Sequence, residues 1–235
     1  MQGVEALGPV SEATERLVAT LGTLTDDQVG GSTLVPPWTR GHVITHVARA
    51  TDSLCRLLTW ARTGVETPQY ASMDARAAEI EAGAARPVAA LIADVTDTAA
   101  RFEEAVRSLP EAAWRVEVRM RTGELRTPAT LVPTRLRELE VHHADLAAGY
   151  TFADVPPAAA RWIIDDIVEA LHRRDGIPAV RIEATDTALS HELGSGGPLV
   201  TGPQADLLAW LTGRSPGTGL TAPEAGEVPS APYWI

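Results

Sequence analysis

Apolar residues recur at helical spacing in four long stretches within the first 150 residues. These stretches cover residues 11–28, 39–63, 87–109 and 128–149. Ser11 and Thr39 are suited to cap the first two helices, Gly64 is suited to end the second, and Pro87 and Pro128 are suited to open the third and fourth. Four helices of this kind predict a bundle, a fold in which facing helices often hold a metal ion in the core.

The pattern changes at residues 155–157, where the sequence Val-Pro-Pro indicates a boundary. We therefore expect one domain over residues 1–154 and a second over residues 155–235. The second domain shows a helix, three strands and a helix over residues 158–174, 180–185, 187–193, 199–200 and 203–212. An alternating stretch at residues 114–127 predicts a small hairpin before the fourth helix. Together these elements predict an α+β protein.

A glutamate and a histidine stand at metal-ligand spacing in the fourth predicted helix. Glu138 and His142 are four residues apart, so their side chains leave the same helix face one turn apart. A carboxylate and an imidazole can share one divalent cation, but a third ligand must come from elsewhere in the fold. His46, in the second helix, is the best candidate. The three residues would leave one coordination position of a zinc ion open, which is typical of a catalytic site.

Other interpretations of these residues stay open. A glutamate and a histidine four apart are more often a helix-surface pair, and a single core histidine is often only hydrogen-bonded. His42, one turn before His46, and His143, rotated by about 100° from His142, compete for the ligand role. Asp145 is three residues beyond His142. It could orient a ligand imidazole or contact a substrate, or it could be a solvated carboxylate at the helix end.

Composition narrows the function further. The net charge is −11 over 235 residues, and all basic residues are arginines, so nucleic acid is an unfavourable partner. Cys55 is the single cysteine, which excludes an internal disulfide and suggests a reducing cytoplasm. It is predicted to pack in the core, on the opposite side of its helix from His46. No apolar stretch is long enough to span a membrane, and no signal peptide is recognisable. We expect a cytoplasmic monomer.

Three motifs carry a resemblance to a known family. They are residues 37–48 (PWTRGHVITHVA), 60–70 (WARTGVETPQY) and 137–146 (RELEVHHADL). They resemble the mycothiol-dependent maleylpyruvate isomerases, which belong to the DinB-like metal-binding four-helix bundles. The closing residues 226–229 with Trp234 are similar too. Glu140 and His143 depart from the pattern, because apolar residues are expected at those positions.

The resemblance implies a zinc ion bound by His46, Glu138 and His142, and a C-terminal domain of sterol-carrier-like α/β form. It also implies that the low-molecular-weight thiol mycothiol is the cofactor. The implied reaction converts maleylpyruvate to fumarylpyruvate in the gentisate route of aromatic breakdown. The family has an important arginine in the C-terminal domain, and the matching residue here is Arg214.

These implications suggest a mechanism as a hypothesis. A zinc-activated thiolate would add to the cis double bond, allow rotation and leave again. Arg214 would stabilise the enolate oxygen or bind a substrate carboxylate, and Asp145 would assist, at an active site expected in the cleft between the domains. Arg214 could equally be a surface arginine at a helix end, and Arg76 and Arg49 are weaker candidates.

Two other functions compete with isomerisation. One is a mycothiol S-transferase that acts on another electrophile, such as an antibiotic precursor or a xenobiotic. The other is a metal-dependent binding or stress protein without catalytic activity.

Overall fold

The computed structural model describes residues 3–232. Contacts within the chain divide it into two compact units, Met1–Tyr150 and Thr151–Ile235. This division falls four residues before the domain boundary that we predicted from the sequence. Within the described residues, no helix combines the length and the apolar character needed to cross a bilayer.

The first unit is built from helices and one small hairpin. Its elements in chain order are a 3-10 turn (Gly3–Ala6), α1 (Leu7–Leu21), α2 (Asp26–Val29), α3 (Arg40–Thr63), α4 (Met73–Gly83), α5 (Val88–Arg107), a second 3-10 turn (Glu111–Arg115), β1 (Val118–Arg119), β2 (Leu125–Arg126) and α6 (Pro128–Asp145). The helix α3 packs against α5 and α6, and α1 packs against α6 and α5. The antiparallel hairpin of β1 and β2 precedes α6, as predicted. The predicted helical bundle is therefore confirmed.

The helix α3 follows its sequence signals closely. The backbone N–H of Thr39 donates to Nδ1 of His42, which satisfies one of the free donors at the start of the helix. The helix ends at Gly64, whose φ of 73° is the left-handed conformation that glycine adopts at little cost. The apolar stripe predicted for this helix is buried in full, at Val43, Val47, Leu54, Leu57 and Leu58.

Three helix ends differ from the prediction by four residues or more. The first predicted helix ends at Leu21 rather than at residue 28, and Asp26–Val29 forms the separate helix α2. The helix α1 begins at Leu7 rather than after Ser11, because Leu7 and Val10 extend the buried stripe toward the N-terminus. The helix α6 ends at Asp145, four residues before the predicted end. There the side chain of Arg40 donates to the carbonyl groups of Leu146 and Ala147, which satisfies acceptors that have no helical partner. This contact pairs residues more than 100 positions apart and has no local sequence signal.

The helices α3 and α4 pack so closely that a side chain larger than hydrogen at the contact would clash. A Cβ added to Gly41 would lie 1.9 Å from the carbonyl oxygen of Ala84, and one added to Gly83 would lie 2.4 Å from Cγ2 of Thr45. Glycine is therefore required at both positions.

The second unit combines two helices with a three-stranded sheet. Its elements are a 3-10 turn (Phe152–Asp154), α7 (Pro157–His172), β3 (Val180–Ala184), β4 (Ser190–Leu193), β5 (Leu199–Gly202) and α8 (Gln204–Leu211). The strand order is β4-β3-β5, with β3 antiparallel to β4 and parallel to β5. The order of helix, strands and helix agrees with the sequence pattern, and the α+β class is confirmed. Trp234, which is part of the resemblance to the family, lies outside the described residues.

Candidate metal centre

Two histidines and one glutamate of the first unit bring their ligand atoms together. His46 lies on α3, and Glu138 and His142 lie one turn apart on α6. His46 Nε2 is 3.0 Å from His142 Nε2 and 3.4 Å from Glu138 Oε2. His142 Nε2 is 3.5 Å from the same carboxylate oxygen. The three ligand atoms therefore form a nearly equilateral triangle, and they are a group that could hold a metal ion.

The size of this triangle suits a tetrahedral zinc ion. Zinc binds histidine nitrogen and carboxylate oxygen at ~2.0–2.2 Å, so two ligand atoms on a tetrahedral ion lie about 3.3–3.6 Å apart. Two of the three separations here, 3.4 and 3.5 Å, lie in this range, and the third, between the two histidine nitrogens, is slightly shorter at 3.0 Å. Two imidazoles and one carboxylate are also a donor set found in catalytic zinc sites, in which a fourth position stays open. The residues present therefore fit the ion.

Asp145 supports the site from behind His142. Its carboxylate is fully buried and accepts a hydrogen bond from His142 Nδ1 at 2.7 Å. In the neutral imidazole this bond keeps the proton on Nδ1 and leaves the lone pair of Nε2 directed at His46 and Glu138. Asp145 is thus not a solvated residue at the helix end. Its contact is the one expected of a residue that orients a ligand imidazole.

The protonation properties of His46 and Glu138 favour cation binding. Burial, together with repulsion from His142, lowers the pKa of His46 to about 4, so its imidazole is neutral at neutral pH. Burial alone would raise the pKa of Glu138, but hydrogen bonds with His142 and His46 outweigh it and hold that pKa well below the usual range. Burial acts to lower the pKa of His142, but its hydrogen bonds to Asp145 and Glu138 outweigh burial and raise that pKa above its ordinary value. The cluster therefore holds an ionised carboxylate beside a neutral imidazole.

An aromatic and cationic group borders His46. The rings of Trp38 and His46 are 5.3 Å apart, and a guanidinium nitrogen of Arg76 is 3.2 Å from His46 Nδ1. The guanidinium carbon of Arg76 also lies 5.9 Å from the ring centre of Trp38 and 5.7 Å from that of Tyr70.

Comparisons with known proteins identify the family. The family model described as the mycothiol maleylpyruvate isomerase N-terminal domain matches residues 10–147, and the MDMPI C-terminal domain model matches residues 144–232. The chain belongs to the mycothiol maleylpyruvate isomerase family. No curated protein shows significant similarity to it.

Two solved structures of this family are similar to the chain. One is the crystal structure of the mycothiol-dependent maleylpyruvate isomerase, and the other is a mutant of that isomerase with one histidine replaced by alanine. Each is 30% identical in sequence, has a TM-score of 0.90, and is matched over 98% of this chain and 96% of its own. The resemblance stated from the sequence motifs is therefore confirmed.

His42 and His143, the alternative candidates for the ligand role, have other partners. Through Nδ1, His42 accepts a hydrogen bond from the backbone N–H of Thr39, and its Nε2 lies 3.0 Å from Glu81. His143 contacts the hydroxyl of Thr20 at 2.8 Å and stacks on the ring of Tyr150 at a centroid distance of 3.7 Å. Neither imidazole belongs to the triangle of ligand atoms.

Glu140, one of the departures from the family pattern, is also accounted for. Its carboxylate is 1% exposed and accepts hydrogen bonds from Arg16 at 2.7 Å and from Tyr150 at 2.5 Å. The charge is therefore paired within the first unit. Burial and the hydrogen bond to Glu140 raise the pKa of the Tyr150 phenol well above its ordinary value.

Three further candidates from the sequence lie in different settings. Cys55 was predicted to pack in the core, but it is only partly buried. Burial still raises the pKa of its thiol to about 11, which disfavours the reactive thiolate. Arg49 forms ion pairs with Asp52 and Asp94. Arg214, in the second unit, donates to the carbonyl group of Thr212 at 2.6 Å, just beyond the end of α8.

Sequence reasoning missed the aromatic border of the site. Trp38 and Tyr70 appeared only as motif positions, and Arg76 was ranked low. The loop that carries Tyr70 is held by Gln69, whose side chain accepts from the backbone N–H of Arg121 at 2.7 Å and donates to Ser53 at 3.0 Å. The motif from residue 60 to residue 70 therefore has a structural basis, but this contact with the hairpin has no signal in the local sequence.

Proposed function

We propose that this chain is a zinc- and mycothiol-dependent isomerase that converts maleylpyruvate to fumarylpyruvate. The observation that carries the proposal is the triangle of His46, Glu138 and His142, with separations that suit zinc. Membership of the family supplies the substrate class. The names of the two similar structures support the cofactor and the reaction.

The chain's own residues prepare the site in a defined way. His46, Glu138 and His142 present their ligand atoms from one side, and Asp145 fixes the orientation of His142. The negative charge of Glu138 favours a dication there. Since the described part of the chain supplies three ligands, a fourth position of a tetrahedral ion would be open to an exogenous group.

The bound cofactors would supply a thiolate that adds to the cis double bond and leaves after rotation about the resulting single bond. A free thiol has a pKa of about 8.5 and is mostly protonated at neutral pH, so zinc is needed to keep it ionised. Cys55 is the single cysteine, and burial raises the pKa of its thiol to about 11, which disfavours the thiolate. We therefore expect the thiol to come from outside the chain.

The negative charge that develops on the substrate must be met by a cation. Electron density moves onto the carbonyl oxygen as an enolate, and preorganised donors at that position accelerate the step. The resemblance implies an important arginine at the position of Arg214, and Arg214 is our candidate for this role. We expect Arg214→Ala to reduce turnover and to keep the zinc. Loss of zinc in that variant would contradict the assignment. The cytoplasmic location and the monomeric state also stay predictions.

The decisive experiment combines metal analysis with an assay. Purified protein is expected to carry about one zinc per chain and to convert maleylpyruvate to the trans product, followed by proton NMR, only when mycothiol is present. Activity without a thiol, or equal activity with any thiol, would contradict the cofactor. A stable adduct of mycothiol with another electrophile and no isomerisation would favour the S-transferase. A lack of zinc and of thiol binding would refute both enzymatic functions.

A further inference from the structure

Arg76 is a cation without a protein anion at the edge of the metal centre. It lies on α4, and its guanidinium is placed by the rings of Trp38 and Tyr70 and by Nδ1 of His46. Among the residues that the structure describes, it forms no ion pair. Its Nε atom is buried and has no hydrogen-bond acceptor. A buried donor without a partner is destabilising, so an acceptor from outside the chain would be stabilising.

The other arginines around the cluster cannot take this role. Arg137 already lies 3.5 Å from the carboxylate of Glu138. Arg135 is fully buried, and it donates to the carbonyl group of Val47 inside the core. Arg76 is only partly buried, and one imidazole ring separates it from the ligand atoms of the cluster. It is therefore the arginine beside the cluster that an incoming anion can reach.

The contact between Arg76 and His46 couples this arginine to the metal centre. Arginine has donors and no acceptor, so Nδ1 of His46 must accept, and the proton of the neutral imidazole is then on Nε2. A cation bound at Nε2 needs the lone pair of that atom, which moves the proton to Nδ1. A protonated Nδ1 cannot accept from Arg76. Cation binding at His46 and this hydrogen bond are therefore mutually exclusive.

We propose that Arg76 binds a carboxylate of the substrate and is released for this role when a cation binds to the cluster. The inference rests on the proposed function, because maleylpyruvate carries two carboxylates and supplies the anion. A guanidinium held against aromatic rings can still present two parallel N–H groups to a carboxylate. The Nε atom of Arg76 already lacks an acceptor. Once Arg76 is released from His46, the N–H group that contacted His46 also becomes available to the carboxylate.

The coupling has a measurable consequence in both directions. If a cation frees Arg76 for an anion, an anion that captures Arg76 must favour cation binding by the same factor. The probe is maleate, a cis dicarboxylate, added without any thiol. Zinc affinity is measured by competition with a chromophoric chelator, with and without maleate, for the wild type and for Arg76→Met and Arg76→Gln. Arg101→Met removes a positive charge from an exposed ion pair with Asp52 and serves as the control.

We expect maleate to tighten zinc binding roughly tenfold in the wild type and in Arg101→Met. In Arg76→Met and Arg76→Gln the effect should disappear, while zinc affinity without maleate stays equal or rises, because no donor competes for His46. Equal tightening in either Arg76 variant would show that maleate acts on zinc directly and would overturn the proposal. Weaker zinc binding without maleate in both variants would instead show a structural role for Arg76.

This experiment separates two failures. The zinc affinities do not depend on turnover. Coupling in the wild type without isomerase activity would keep the carboxylate site and refute the substrate. Isomerase activity without coupling would keep the proposed function and refute the role of Arg76.

Discussion

The helix α6 carries two glutamate and histidine pairs that have opposite environments. Glu140 and His143 contact groups of α1 and the end of the unit: Arg16 and Tyr150 for the glutamate, and Thr20 with Tyr150 for the histidine. Glu138 and His142 instead point their ligand atoms at each other and at His46. The first pair is satisfied by donors and a cation of the chain. The second is arranged around a position where a cation fits.

The helical period explains how neighbouring residues reach such different partners. Each residue advances about 100°, so Glu138 and His142 lie about 40° apart, whereas Glu138 and Glu140 lie about 160° apart. One glutamate therefore faces α3, which supplies His46, and the other faces α1, which supplies Arg16. The comparison teaches that residue type alone does not mark a metal ligand. What a buried carboxylate finds on the facing helix decides its role.

The sharpest way to break the comparison is to remove one histidine from each pair. We expect His142→Ala to abolish stoichiometric zinc binding, because two remaining ligands cannot hold the ion. His143→Ala should keep about one zinc per chain, since its imidazole bonds to Thr20 instead. Metal content after dialysis, measured by mass spectrometry, checks both. Full zinc retention in His142→Ala, or zinc loss in His143→Ala, would contradict the difference between the pairs.

A second, smaller effect concerns the residue behind His142. We expect Asp145→Asn to weaken zinc binding by roughly 10–100-fold without abolishing it, because an amide holds the Nδ1 proton of His142 less well than a carboxylate does. Chelator competition gives the affinity. Asp154→Asn is a suitable control, because that carboxylate accepts from Thr151 in another part of the chain. An unchanged affinity in Asp145→Asn would show that this hydrogen bond does not support the ligand.

The difference between the two pairs also shows what the sequence can reveal. The spacing of Glu138 and His142 places them on one face, and the caps at Thr39 and Gly64 fix the ends of α3, because all of these are local signals. The convergence of His46 on that face depends on how two helices pack. It was inferred only as the best candidate and then by resemblance.

The border of the site was less predictable because it depends on contacts between distant segments. Tyr70 reaches Arg76 from a loop whose conformation depends on hydrogen bonds of Gln69 to Arg121 and Ser53. Nothing within residues 60–70 specifies those partners. The sequence likewise did not explain Glu140, since its cation, Arg16, is 124 residues away.

The third prediction concerns the stability of the fold rather than metal binding. We expect Glu140→Gln to lower the free energy of unfolding by about 1–2 kcal/mol, because Arg16 and Tyr150 lose a charged acceptor that is 1% exposed. Zinc content should stay unchanged. Urea denaturation of the metal-free protein measures the loss, and in the background of Arg16→Met the same substitution should cost less. A loss of zinc with unchanged stability would reverse the roles assigned to Glu138 and Glu140.

The smallest expected effect is a pH dependence of stability that arises at Tyr150, which contacts both Glu140 and His143. The pKa of Tyr150 is raised above its ordinary value of about 10 by burial and by the bond to Glu140. The folded state therefore favours the neutral phenol. Its contribution to stability is complete below pH ~10 and is lost as the pH rises toward the pKa of the folded state, because the unfolded chain releases the proton first.

We expect the melting temperature of the wild type to fall more steeply between pH 9 and pH 11, values that bracket the ordinary tyrosine pKa of about 10, than that of Tyr150→Phe. Tyr70→Phe, which removes a hydroxyl from the other region, should keep the steep fall. Thermal unfolding followed by circular dichroism with a chelator present gives both curves. Parallel curves for the wild type and Tyr150→Phe would mean that the phenol does not depend on Glu140, and the satisfied pair would then rest on Arg16 and Thr20 alone.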